Sequence, residues 1–147
     1  MSKKMIKPRK AISPILATLL LVVIAVAAIV VTYAWIMTYM TNANRQAGVV
    51  LYMGNINFYN QSGTPKIGID VGDSGTQGTT IIALYIGTSD TSMQSQTFTP
   101  AQPPVAAGQL TTITVNYTWT PSTIYFFKVV PQPGAALGPI QAQAPVS

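Results

Sequence analysis

Few side chains in this sequence could do chemistry. It carries Asp70, Asp73 and Asp90, and it has no Glu, His or Cys. A thiol nucleophile, a disulfide framework and a His or Cys zinc or redox site are all excluded. Three Asp are a poor supply for a catalytic carboxylate pair and the groups that would support it. The expectation is a chain that is not an enzyme, with no catalytic, metal or cofactor-binding residues. The run Asp70-Val71-Gly72-Asp73-Ser74-Gly75 is oxygen-rich, but it lacks the Glu and the ligand spacing of an EF-hand. A turn built on Asp and Gly is the expected reading. No Gly-rich phosphate loop is present. Two sequons remain, Asn60-Gln61-Ser62 and Asn116-Tyr117-Thr118. They make Asn60 and Asn116 candidates for N-linked glycans. A Ser/Thr-rich chain also produces sequons by chance. Its many hydroxyls would accept O-linked sugars as well.

The formal net charge is +5, and charged residues are 7% of the chain, against about 25% in soluble domains. Lys3, Lys4, Lys7, Arg9 and Lys10 all fall in the first ten residues. The other cations, Arg45, Lys66 and Lys128, balance the three Asp. The basic character therefore belongs to the N-terminal tail, and no basic patch suits phosphates. Nucleic acid is not an expected partner.

Between Lys10 and Arg45 there is no charge. Residues 12–40 read ISPILATLLLVVIAVAAIVVTYAWIMTYM, a run longer than the ~20 residues that cross a bilayer. Ser13 suits an N-cap and Pro14 a first helical position, which together mark a helix start. Apolar residues cover every face from Ile15 to Val31. Tyr33, Trp35 and Tyr39 cluster at the far end, as in an interfacial aromatic belt. The flanking cations place the N-terminus in the cytoplasm and residues beyond ~45 outside. The run is too long for the core of a cleaved secretory signal. On hydropathy alone, an ordinary signal anchor competes as an explanation.

The junction before this run is more specific. Arg9-Lys10-Ala11 leads directly into Ile12-Ser13-Pro14-Ile15. This basic pair, small residue and immediate hydrophobic helix resembles the class III signal peptide of archaeal type IV prepilins. AISPILATLLLVVIAVAA resembles the N-terminal helix of that family across about 30 residues. The resemblance implies cleavage by a membrane-bound prepilin peptidase at the Ala11–Ile12 bond. Arg9, Lys10, Ala11 and Ile12 would be the recognition and cleavage residues. It also implies self-association into a helical homopolymer, built by pilus assembly machinery and serving adhesion. The Ser-Pro start and short chain are more like a pilin than an archaeal flagellin. Bacterial pilins usually carry Glu at the fifth mature position. Leu16 stands there, so no role of that carboxylate carries over. The precursor is expected in the cytoplasmic membrane and the mature subunit in an extracellular cell-surface pilus. Ala17, Ala25, Ala27, Ala28, Ala34, Thr18, Thr32 and Thr38 would permit close helix approach, although such residues are common in membrane helices.

Three segments follow: a basic leader over 1–11, a hydrophobic helix over 12–45 and an outer domain over 46–147 with a Pro-rich C-terminal tail. The outer domain has short apolar runs punctuated by Pro and Gly, which suggests an all-β sandwich. The fold class expected is α+β, a long hydrophobic helix followed by a sandwich that the resemblance makes immunoglobulin-like. KIGIDV at 66–71 alternates, and TIIALYIG at 80–87 is apolar on both faces. TTITVNYTW at 111–119 places Ile113, Val115, Tyr117 and Trp119 on one face. STIYFFKVV at 122–130 is a further strand. Over 49–59 the inward parity switches, so either a bulge near Gly54 or a helix reaching Met53 is required. The Pro-rich tail is extended or an edge strand. Tyr and Trp on an alternating face are more often core than sugar platforms. A membrane-anchored module that binds a sugar or peptide, or a minor pilin outside the filament body, is the alternative function.

Overall fold

The computed structural model describes residues 12–146, and the chain divides between Asn42 and Ala43 into two units. Helix α1 spans Ile12–Ala47. Its only Pro lies in the first described turn, where no intrahelical N–H partner is needed, and no Gly interrupts it. The helix runs two residues past the expected end at 45. The Gly48 N–H donates to Asn44 O at 2.9 Å, and the chain then turns away. Gly48 O accepts the N–H groups of Thr76 and Gln77 at 2.8 and 3.1 Å. A Cβ at Gly48 would strike the Gln77 side chain, so this crossing needs glycine.

Beyond the end of α1, the second unit is built of β-strands. Strand β1 is Leu51–Gln61, β2 is Thr64–Asp73 and β3 is Thr79–Gly87. Short strands β4 (Gln94–Gln96), β5 (Phe98–Thr99) and β6 (Pro104–Val105) follow. Then come β7 (Leu110–Asn116), β8 (Ile124–Gln132) and β9 (Leu137–Gln143). One sheet has the order β1-β2-β7-β5 and the other β4-β3-β8-β9, with β6 also on β3. Within each sheet, the strand pairings among the described residues are antiparallel. This is the A-B-E-D and C′-C-F-G arrangement of an immunoglobulin-like sandwich. Tyr125 adds a feature of that architecture: near the start of β8 its hydroxyl accepts the Thr120 N–H at 2.9 Å.

The pleat explains the core. Ile67, Ile69 and Val71 of β2 and Ile113 and Val115 of β7 face Ile81, Leu84, Ile86, Phe127 and Val129 of the other sheet. Each such side chain contributes about 1.5–3 kcal/mol when fully buried. Two bulges resolve the ambiguous runs. The β1–β2 register shifts between Met53 and Ile56, so Leu51 and Met53 pack inward and Ile56 and Phe58 continue after the step. The bulge reading of 49–59 holds, and the helix stops at Ala47. The β3–β8 register shifts between Ile81 and Ala83. That step moves the inward set from Ile81 to Leu84 and Ile86, which is why 80–87 reads as apolar on both faces.

Other boundaries differ from expectation. β7 ends at Asn116, so Tyr117 and Trp119 lie beyond it and pack against the rim of the core. Trp119 meets Phe58 edge-on at 5.6 Å, and Tyr117 meets Tyr125 at 5.7 Å. β8 is shifted two residues beyond the expected 122–130. The Pro-rich tail supplies β9 as an edge strand on β8. The loop at Ser62-Gly63 has φ of 53° and 79°, the left-handed pair that a two-residue hairpin of right-handed twist requires.

Candidate functional site

Helix α1 is long and apolar enough to cross a membrane, by length and composition. None of the most apolar stretch is buried within the chain. Its large apolar side chains are exposed on all sides, Val31 at 69% and Trp35 at 67% among them. The four threonine hydroxyls along the helix are satisfied internally. The Thr18 hydroxyl donates to Ile15 O at 2.8 Å, and Thr32 donates to Ala28 O at 2.7 Å. Thr38 and Thr41 donate to Ala34 O and Met37 O at 2.9 and 2.8 Å. Such back-bonding removes the cost of carrying a hydroxyl into an apolar medium. Trp35 and Tyr39 stack at 5.9 Å with 17° between their planes.

The sequence motif at the head of this helix is only partly within the described residues. Arg9, Lys10 and Ala11 lie outside them. Ile12, Ser13 and Pro14 are the first residues of the described part of α1.

The glycan candidates sit on strands. Asn60 is exposed near the end of β1, one residue before the position that flanks the hairpin loop, and it pairs with Pro65. Asn116 is exposed at the end of β7, pairing with Lys66. It shares the outward parity of Thr112 and Thr114, as the alternation implied.

Asp70 and Asp73 part company. Asp70 is on the outer face, where its Oδ1 accepts the Thr112 hydroxyl at 2.6 Å. Asp73 is fully buried at the end of β2. Its Oδ1 accepts Val50 N–H at 3.0 Å and Gly75 N–H at 2.7 Å. Its backbone N–H donates to Gln109 O at 3.0 Å, and its backbone carbonyl accepts Gly108 N–H at 2.7 Å. Odd spacing on a strand puts the two carboxylates on opposite faces, so they form no shared ligand set. Asp73 instead ties three segments together where the chain enters the sandwich. The bond to Gly75 is the Asp-Gly turn expected from the sequence, whereas the partners at 50 and 109 are distant in the chain and no local pattern marked them.

No family model and no curated protein matches the sequence. Among solved structures, the chain is similar to an X-ray structure described as Northeast Structural Genomics Consortium target SoR45. That similarity has a TM-score of 0.38 and 12% identity over 68% of this chain and 89% of the other. At that distance it carries no argument about function.

Proposed function

We propose that this chain is the structural subunit of an archaeal type IV adhesion pilus. The observation that carries the reading is one junction: in the sequence Arg9-Lys10-Ala11 runs directly into a helical segment with no charge before Arg45, whose most apolar stretch is unburied among the described residues. The leader cations hold the precursor with its N-terminus in the cytoplasm. A prepilin peptidase then cuts between Ala11 and Ile12. The freed helix carries no side-chain charge before Arg45, and its threonines need no outside partner. It can therefore leave lipid for an equally apolar bundle of identical helices. Head-to-tail contacts that do not close generate an open helical filament. The β domain lies on the outside of that filament, and Asn60 and Asn116 carry N-linked glycans.

N-terminal sequencing or intact-mass measurement on sheared filaments tests this directly. The expected first residue is Ile12, and filament protein starting at Met1 would overturn the processing step. A second reading is a membrane-anchored binding module or minor pilin. The polar outer face around Asn116 favours it. Recovery of the chain only in membranes, never in sheared filaments, would favour it over the filament body.

A further inference from the structure

The outer face of the β1-β2-β7-β5 sheet holds a groove of about 460 Å³. That volume lies in the range of small-molecule sites, about 300–1,000 Å³. The strand register builds it in rows. Tyr59, Lys66 and Asn116 form one row across three strands. Asn57, Gly68 and Thr114 form the next, and Asp70 and Thr112 pair in the third. Gly68, in the middle of the second row, is buried. The Tyr59 ring lies over it: a Cβ at Gly68 would meet its Cε1 at 3.4 Å. Pro100, beside β5, closes the far rim.

The lining is unusual in its chemistry. Gln61 and Asn116 supply amides, Thr112 and Thr114 hydroxyls, Lys66 an ammonium and Tyr59 a ring that is 36% exposed. The two charges nearby are both engaged within the face. Lys66 Nζ donates to Gln61 Oε1 at 2.9 Å, and Asp70 accepts from Thr112 at 2.6 Å. Both partners are neutral, so Lys66 keeps its charge and further N–H donors that sugar hydroxyls can accept. A flat aromatic face beside paired donors and acceptors matches a ring that has one C–H face and a rim of hydroxyls. Amides and hydroxyls bond sugar hydroxyls without a large desolvation cost, and the ring covers the C–H patch.

We infer that this groove is a seat for a pyranose. The sugar comes either from a glycan on Asn116, which is in the same row as Tyr59, or from a glycan on another molecule. Neighbouring strands are about 4.8 Å apart, so the Tyr59 and Asn116 backbones stand roughly 10 Å apart, a span that a linked pyranose bridges. The inference concerns the outer sheet face and holds whether or not the chain polymerises.

The test uses the full chain, made without glycosylation and held in dodecylphosphocholine micelles, which contain no sugar. The probes are the methyl glycosides of glucose, mannose, galactose and N-acetylglucosamine. Saturation-transfer NMR is expected to detect at least one, with Kd on the order of 1 mM. Amide shifts should be confined to residues 59–68 and 112–116. Tyr59→Ala removes the ring, and Gly68→Val displaces the ring from its seat with a residue that strands favour. Each should weaken binding about tenfold, an effect of about 1.4 kcal/mol. Tyr59→Phe keeps the ring and should keep binding. In chain glycosylated at Asn116, contacts between sugar protons and the Tyr59 ring assign the groove to the chain's own glycan. Thr118→Ala then abolishes the sequon, spares every groove side chain and reopens the groove to free glycosides. Binding of glycosides without such contacts assigns it to a foreign glycan. The inference is overturned if no glycoside moves the groove amides. It is equally overturned if binding survives both Tyr59→Ala and Gly68→Val in folded protein.

Discussion

Asp73 shows how one side chain can hold a chain crossing together. Its carboxylate reaches Val50, just past the helix, and Gly75, just past β2, while its backbone reaches Gly108 and Gln109. Asp73→Ala would leave two N–H groups without their acceptor. The expected loss is about 2–4 kcal/mol, read from denaturant or thermal unfolding of the second unit within the full chain. Asp73→Asn keeps the Oδ1 acceptor and removes a buried charge, so it should cost clearly less. Tyr117 gives a pH prediction. Burial, and then the neighbouring Tyr125, push its phenol above the usual tyrosine range. The folded state therefore favours the neutral phenol. That contribution is complete below the unfolded pKa of about 10 and is lost as pH rises through the higher folded value. The melting temperature should fall above about pH 10, and Tyr117→Phe should flatten part of that fall.

Among the elements, α1 and the paired strands obey different solvents. The sandwich strands alternate because one face meets the core and the other water. The helix does not alternate: apolar residues cover every one of its faces from Ile15 to Val31. A charge in the middle of α1 should therefore be costly in lipid and in a helix bundle alike. Val23→Lys adds about 2.5–3.5 kcal/mol to insertion at the helix centre. The expected result is a strong drop in membrane-inserted chain and in sheared filaments, with the β unit's unfolding transition unchanged. Wild-type filament yield from this variant would show that the helix occupies neither environment.

For the whole molecule, durability must rest on burial and hydrogen bonding. Cysteines are absent and carboxylates are three. Few side chains titrate between about pH 2 and 7, so stability should depend weakly on acid. If the chain forms the proposed filaments, those that persist at pH 7 should also persist at pH 3, as judged by electron microscopy after an acid shift. Dissociation at pH 3 would show that one of the three Asp controls assembly. The +5 charge has little part in this: it resides in residues 3–10, ahead of the proposed cut, and the chain beyond carries three cations and three anions.

The uncharged run from Ala11 to Asn44 was enough to specify a long apolar helix, because helix formation and lipid compatibility both depend on local composition. Alternation at 66–71 and 111–116 was enough to orient β2 and β7, and it placed Asn116 on the outer side. The short strands β4, β5 and β6 were not legible, because two or three polar or Pro-containing residues carry no period. The switch of parity in β1 was visible, but only pairing with β2 chose a bulge over more helix. Pairing likewise separated Asp70 from Asp73 and set Tyr59 beside Lys66 and Asn116. Those residues lie up to 57 positions apart in the chain. Their meeting depends on strand register, which a buried core imposes over long range and no local pattern encodes.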